Sequence, residues 1–168
     1  MMNFSYEPML DDHNPLDFVE ELASHKSWYY KRVDSNTLSL QLAGQRSKFD
    51  LTLQWNEEFC ALNILSCIDV AIKGENRDVA ADFLMQTNEE MWMGHFIIDT
   101  ATSFPCFKYT MLLEHIPSAV SVEMVNDIVE LAVTECDRYY STFVMLSNGS
   151  IQSHETLSTA LMKTIGEA

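Results

Sequence analysis

Apolar residues along this chain follow two periods, and the places where one gives way to the other mark its elements. Residues 1–13 follow neither and read as a flexible arm. Asn14-Pro15 then offers a helix cap with proline at the first helical position. Leu16, Val19, Leu22 and Ala23 recur at three- and four-residue spacing, which predicts a helix running to about Lys26.

From Trp28 the period becomes two. Trp28, Tyr30 and Arg32 oppose Tyr29, Lys31 and Val33, and after Asp34-Ser35-Asn36 the residues Leu38, Leu40 and Leu42 alternate with Ser39 and Gln41. Gly44 to Ser47 turns the chain into a third strand with Phe49, Leu51, Leu53 and Trp55 on one side. Asn56-Glu57-Glu58 leads to a fourth, whose apolar set is Leu62, Ile64, Ile68 and Val70. Four strands joined by short connections predict an antiparallel meander.

Helical spacing returns at Val79, Ala80, Phe83, Leu84, Thr87 and Met91, with Asn76 as the expected cap and Gly94 as the expected terminator. Two strands follow, around Phe96 to Thr100 and Phe107 to Leu113, separated by Ser103-Phe104-Pro105. Pro117 and Ser121 introduce a long helix carrying Val122, Val125, Ile128, Val129, Ala132, Val133, Cys136 and Tyr140, ending near Met145. Ser153 is placed to cap a last helix with Leu157, Ala160, Leu161 and Ile165 on its apolar side. The order α-β-β-β-β-α-β-β-α-α, with strands in runs, predicts an α+β fold in which helices pack on an antiparallel sheet. Residues 14–168 read as a single domain, without internal repeat or linker.

Composition supports an independently folding domain, with 47% hydrophobic and 21% charged residues in 168. The formal net charge of −15 disfavours nucleic acid and anionic membrane surfaces as partners. A local basic stretch, with Lys26, Lys31, Arg32, Arg46 and Lys48 against Asp34 alone, reads either as a hairpin facing the protein's own acidic helices or as a docking patch for an acidic partner. The opening MMNFSYEPML lacks a basic region and an apolar core, and no apolar run reaches bilayer length, so a cytoplasmic protein is expected.

Candidate chemistry is sparse. Cys60, Cys67, Cys106 and Cys136 lie at wide, irregular spacings, which predicts small buried thiols and no disulfide. Asp11, Asp12 and His13 are ligand types without a second cluster at fixed spacing. Glu57, Glu58, Glu89, Glu90 and Asp137 read as solvated faces, so no metal or cofactor is expected. The most distinctive segment is Met91 to Phe96. Gly94 can cap the helix while Trp92 and Phe96 fill the space beneath it, or Met91, Trp92, Met93 and His95 can form an adaptable partner or dimer surface.

Several strings occur in order: Asn14-Pro15-Leu16-Asp17, Trp28 opening the first strand, Asn88-Glu89-Glu90, Trp92-Met93-Gly94-His95-Phe96, and Glu135-Cys136-Asp137-Arg138-Tyr139-Tyr140. Together they resemble the bacterial YbjN-like family, described as sensory-transduction regulators, and the resemblance spans residues 14–168. It implies a fold like that of type III secretion chaperones, which are small, acidic, often dimeric proteins that hold other polypeptides. It therefore implies a non-enzymatic protein-binding role, an unidentified protein partner and a homodimer, and it carries over no catalytic, metal or cofactor residue. The competing expectation is a small-ligand sensor or a cysteine-dependent enzyme using a cleft between sheet and helix. Cys60, Cys67 or Cys106 would be activated there by His95 or His115.

Overall fold

Asn14 starts the first helix because its side-chain oxygen accepts from the Leu16 N–H at 3.0 Å while Pro15 occupies the first helical position. The structure, a computed structural model, describes residues 14–151; the expected arm at 1–13 and the expected last helix from Ser153 lie outside them. Helix α1, Pro15–His25, buries Leu16, Val19 and Ala23. It stops where Ser27 takes a left-handed conformation (φ 57°) and the Trp28 N–H bonds back to Ala23 O.

Strands β1 (Tyr29–Asp34), β2 (Thr37–Ala43), β3 (Lys48–Asn56) and β4 (Ala61–Cys67) form the expected meander. A 3-10 turn, Gly74–Asn76, leads into α2, Arg77–Glu90. Asn76 occupies the cap position, but its side chain makes no capping hydrogen bond. Strands β5 (His95–Ile98) and β6 (Pro105–Leu112) precede α3, Ser118–Ser147. The sheet order is β1-β2-β3-β4-β6-β5, with every neighbouring pair antiparallel. The chain therefore crosses through α2 to the far edge and returns, inserting β6 between β4 and β5.

Register explains the single core. Leu38↔Leu53, Leu40↔Leu51, Leu42↔Phe49, Leu62↔Met111 and Phe96↔Phe107 are paired positions on the face covered by helices, and all are buried. Helix α3, roughly 45 Å long at 1.5 Å per residue, lays Val125, Val129, Ala132, Cys136, Phe143 and Leu146 across that face. Phe83, Phe96, Phe107, Tyr139 and Phe143 meet with ring centroids 5.2–5.9 Å apart, joining α2, β5, β6 and α3. The opposite face carries Thr37, Ser39, Gln41, Asp50, Thr52, Gln54, Asn63 and Thr110, and no helix packs on it among the described residues.

Two residues of the basic stretch, Lys26 and Arg32, meet the protein's own acids. Lys26 Nζ lies 2.7 Å from Glu130 Oε1 on α3, and Arg32 Nη1 lies 3.1 Å from Asp17 and 3.0 Å from Glu20 on α1. Asp137, expected to be a solvated carboxylate, instead clamps the β2–β3 turn: Oδ2 accepts from the Gln45 N–H at 2.5 Å and Oδ1 from the Arg46 N–H at 3.0 Å. Gly44 sits so close beneath it that a Cβ would overlap the carboxylate.

The cysteines correct a second expectation. Cys67 and Cys106 are directly paired on β4 and β6 and joined by a disulfide, with Cα atoms 4.1 Å apart. Spacing could not show this, because the strands that bring them together are separated by α2 and β5 in sequence.

Candidate functional site

Helix α2 ends abruptly at Glu90, where Met91 turns extended (φ −76°, ψ 127°), and the chain arches over Met91–Met93 before β5 begins. Two contacts fix that arch. The Asn88 side chain accepts from the Phe96 N–H at 2.7 Å and donates to the Phe96 carbonyl at 3.0 Å, tying the last turn of α2 to the outer edge of β5. Gly94 has φ +69° and lies where a Cβ would overlap the Phe107 ring. Its role is close approach to the sheet, not termination of the helix as expected.

The arch leaves a groove against α3. Its lining is Glu90, Met91, Trp92, Met93, Leu131, Glu135, Arg138 and Tyr139, and its volume is about 320 Å³. Tyr139 belongs both to this lining and to the buried ring cluster, so one wall of the groove is continuous with the core. Trp92 is 99% exposed and Met93 50% exposed. The expectation that Trp92 packs between helix and sheet is therefore overturned, while Phe96 does pack there. The bonds between Asn88 and Phe96 span eight positions of the chain, and Trp92 stands at the middle of that arch.

The polar groups of the groove are unevenly satisfied. Glu135 has a side chain only 13% exposed; its Oε1 lies 3.5 Å from Arg138 Nη1, whereas its Oε2 is buried with no hydrogen-bond partner among the described residues. Burial pushes the Tyr139 phenol above the ordinary tyrosine range, and the charges of Glu135 and Glu90 push it the same way against the opposing Arg138. The hydroxyl therefore remains protonated at neutral pH.

Of the residues expected to form a surface, Met91, Trp92 and Met93 come together in this groove. His95 does not line it: β5 alternates, so with Phe96 turned to the core, His95 is exposed on the opposite sheet face beside Lys108. Glu135, Arg138 and Tyr139 were legible only as part of a motif, because their meeting with residues 91–93 depends on how α3 crosses α2.

The thiols are distributed differently from the enzyme expectation. Cys67 shares its sulfur with Cys106 and is separated from His95 by the intervening strand β6. Cys136 is buried against Ser66, with Sγ 3.4 Å from Ser66 Oγ, and burial pushes its thiol up to about 12. It is protonated at neutral pH and is no nucleophile. Cys60 is a free thiol whose Sγ lies 3.6 Å from Glu57 O. Among the described residues no group of three or more His, Cys, Asp or Glu is placed to hold a metal ion. No helix among them is long and apolar enough to cross a membrane.

The profile of one family, described as "Putative bacterial sensory transduction regulator", matches residues 15–145. The chain belongs to the YbjN family. No curated protein and no solved structure matches it. In this YbjN domain the motif residues have distinct tasks: Asn88 ties α2 to β5, Asp137 clamps the β2–β3 turn, and Glu135, Arg138 and Tyr139 face Trp92 and Met93 across the groove.

Proposed function

We propose that this domain is a regulator that works by binding another polypeptide, and that the groove between residues 91–93 and α3 is its docking surface. The observation that carries the reading is Trp92, an indole 99% exposed on the rim of a groove with methionine and tyrosine walls. Burying a large apolar side chain is worth roughly 1.5–3 kcal/mol, and exposed aromatic and methionine side chains beside a preformed depression are the usual anchors of a protein interface. The bonds holding the arch are made already, so a partner meets a prepared surface.

Capture from the native host with three forms of the domain tests this. Wild type and an open-face variant, Gln54→Lys, retain the same partner, whereas Trp92→Ala reduces it at least tenfold. A partner retained equally by Trp92→Ala, or no specific partner for any form, overturns the reading.

A further inference from the structure

One stretch of sheet edge is neither paired nor guarded. Strand β6 runs from Pro105 to Leu112, but β5 covers only its first half, with Ile98 opposite Pro105 and His95 opposite Lys108. Asn88 holds the Phe96 N–H and carbonyl on the outer side of β5, so the bonded pairs between β5 and β6 are Ile97 with Cys106 and His95 with Lys108. The same parity continues along β6. Tyr109 and Met111 bond back to Ile64 and Leu62 of β4, as the Leu113 N–H does to the Cys60 carbonyl at 2.8 Å. Thr110 and Leu112 therefore turn their N–H and carbonyl groups outward, beyond the point where β5 begins. No strand pairs with those groups and no backbone group bonds to them among the described residues.

The other edges carry the usual defences of charge, irregular register or a cover. Strand β1 presents Lys31 and Arg32 and a shift of register between Arg32 and Asp34, and β5 is closed by Asn88. The free half of β6 has none of these, and its last residue, Leu112, is 67% exposed. Gly94 brings the arch of Trp92 and Met93 against the same strand, where a Cβ would lie 3.0 Å from the Lys108 carbonyl. Outward main-chain groups beside exposed apolar side chains are a template for a further strand: the backbone supplies the hold, and alternate side chains supply selectivity. A strand continuing the line of β5 is antiparallel to β6, as is every other neighbouring pair in this sheet. The formal net charge of −15 sets a second copy at a disadvantage and favours a foreign segment.

We propose that the partner polypeptide docks as an extended strand added to the free half of β6, antiparallel to it, with its backbone bonding the N–H and carbonyl groups of Thr110 and Leu112. By alternation, its residue opposite Met111 turns to the helix-covered face, on which the groove lies, and the residues opposite Thr110 and Leu112 turn to the open face. This rests on the docking reading above and names the form of the partner: an extended segment in which apolar residues for the groove side alternate with polar ones, not a helix.

Two synthetic peptides test this, acetyl-Thr-Leu-Thr-Leu-Thr-amide and the same peptide N-methylated at its threonines, which keeps every side chain and removes the donors of one edge. Each is titrated into the full chain while the backbone amides of β6 are followed by NMR. In the free protein the Thr110 and Leu112 amides exchange at least tenfold faster than those of Tyr109 and Met111. The unmethylated peptide shifts Thr110 and Leu112 saturably and slows their exchange at least tenfold, and the methylated peptide binds at least tenfold more weakly. Thr110→Pro removes only an outward N–H, which an edge position tolerates, and weakens the unmethylated peptide at least tenfold, whereas Thr110→Val stays within twofold of wild type. The exchange measurements on wild type stand if the proline variant does not fold. Equal binding of both peptides, or shifts at the Trp92 indole without any at Thr110 and Leu112, overturns strand addition and leaves the docking reading standing. No shift by either peptide also overturns strand addition, and capture by wild type against Trp92→Ala then decides the docking reading on its own. Thr110 and Leu112 amides already protected in the free protein, or a dimer seen by light scattering that Thr110→Pro dissociates, would show the edge occupied by the protein itself and overturn the foreign strand.

Discussion

Asn88 and Phe96 exchange two hydrogen bonds, at 2.7 Å and 3.0 Å, in which a side-chain amide takes the place of a neighbouring strand on the free edge of β5. The pairing satisfies backbone groups that an edge strand leaves open and closes the arch on which Trp92 stands. Asn88→Leu removes both partners of Phe96 and is expected to destabilise the fold by about 2–3 kcal/mol, as for loss of two ordinary hydrogen bonds. Urea unfolding reads the loss, and faster hydrogen exchange at the Phe96 amide locates it.

Trp92 separates stability from function. Because its ring is exposed, Trp92→Ala is expected to change the unfolding free energy by no more than about 0.5 kcal/mol. On the proposed docking role, the same substitution is expected to reduce partner capture at least tenfold. A large loss of stability would show that the indole packs on the protein itself.

The Cys67–Cys106 disulfide closes a segment of sequence separation 39. By chain-entropy reasoning it contributes about 2–4 kcal/mol. Cys67→Ser with Cys106→Ser should lower the urea midpoint accordingly, and a reductant should lower wild type to the level of the double variant without affecting that variant.

Asp137 accepts two backbone N–H groups from the β2–β3 turn. Asp137→Ala leaves both donors to water and is expected to cost about 2 kcal/mol, in the range for bonds to a charged acceptor. Exchange protection should fall at Gln45 and Arg46 first.

Cys136 gives an alkaline signature. Its folded-state value of about 12 lies above the ordinary 9.0, so the folded protein keeps a proton that the unfolded chain releases. The two states are protonated alike below pH 9, and stability falls as pH rises from 9 towards 12. Urea midpoints measured over this range should decline more steeply for wild type than for Cys136→Ala, and the Cys136 thiol should resist alkylation at pH 8 in the folded protein.

Most of the fold was legible because alternation survives in a sheet with one buried face. Leu38, Leu40 and Leu42 and their partners Phe49, Leu51 and Leu53 could hardly be read otherwise. Strand order was not legible, since period two says which face a residue takes and nothing about its neighbour. The insertion of β6 between β4 and β5 was therefore missed, and with it the Cys67–Cys106 bond. Parity also carried the fourth strand on through Ile68 and Val70; Ile68 is buried as expected, but β4 ends at Cys67. At the groove, Met91, Trp92 and Met93 stood out by composition. Glu135 did not, because only the crossing of α3 over the arch reveals that one of its oxygens is without a partner.

The most direct test places a photo-crosslinking phenylalanine analogue at position 93, on the rim of the groove, and at position 54, on the open face of the sheet, in the native host. A discrete polypeptide adduct formed at 93, absent at 54 and lost when Trp92→Ala is added, is the predicted result. Adducts at 54 and none at 93 would place the working surface on the opposite face and contradict the account.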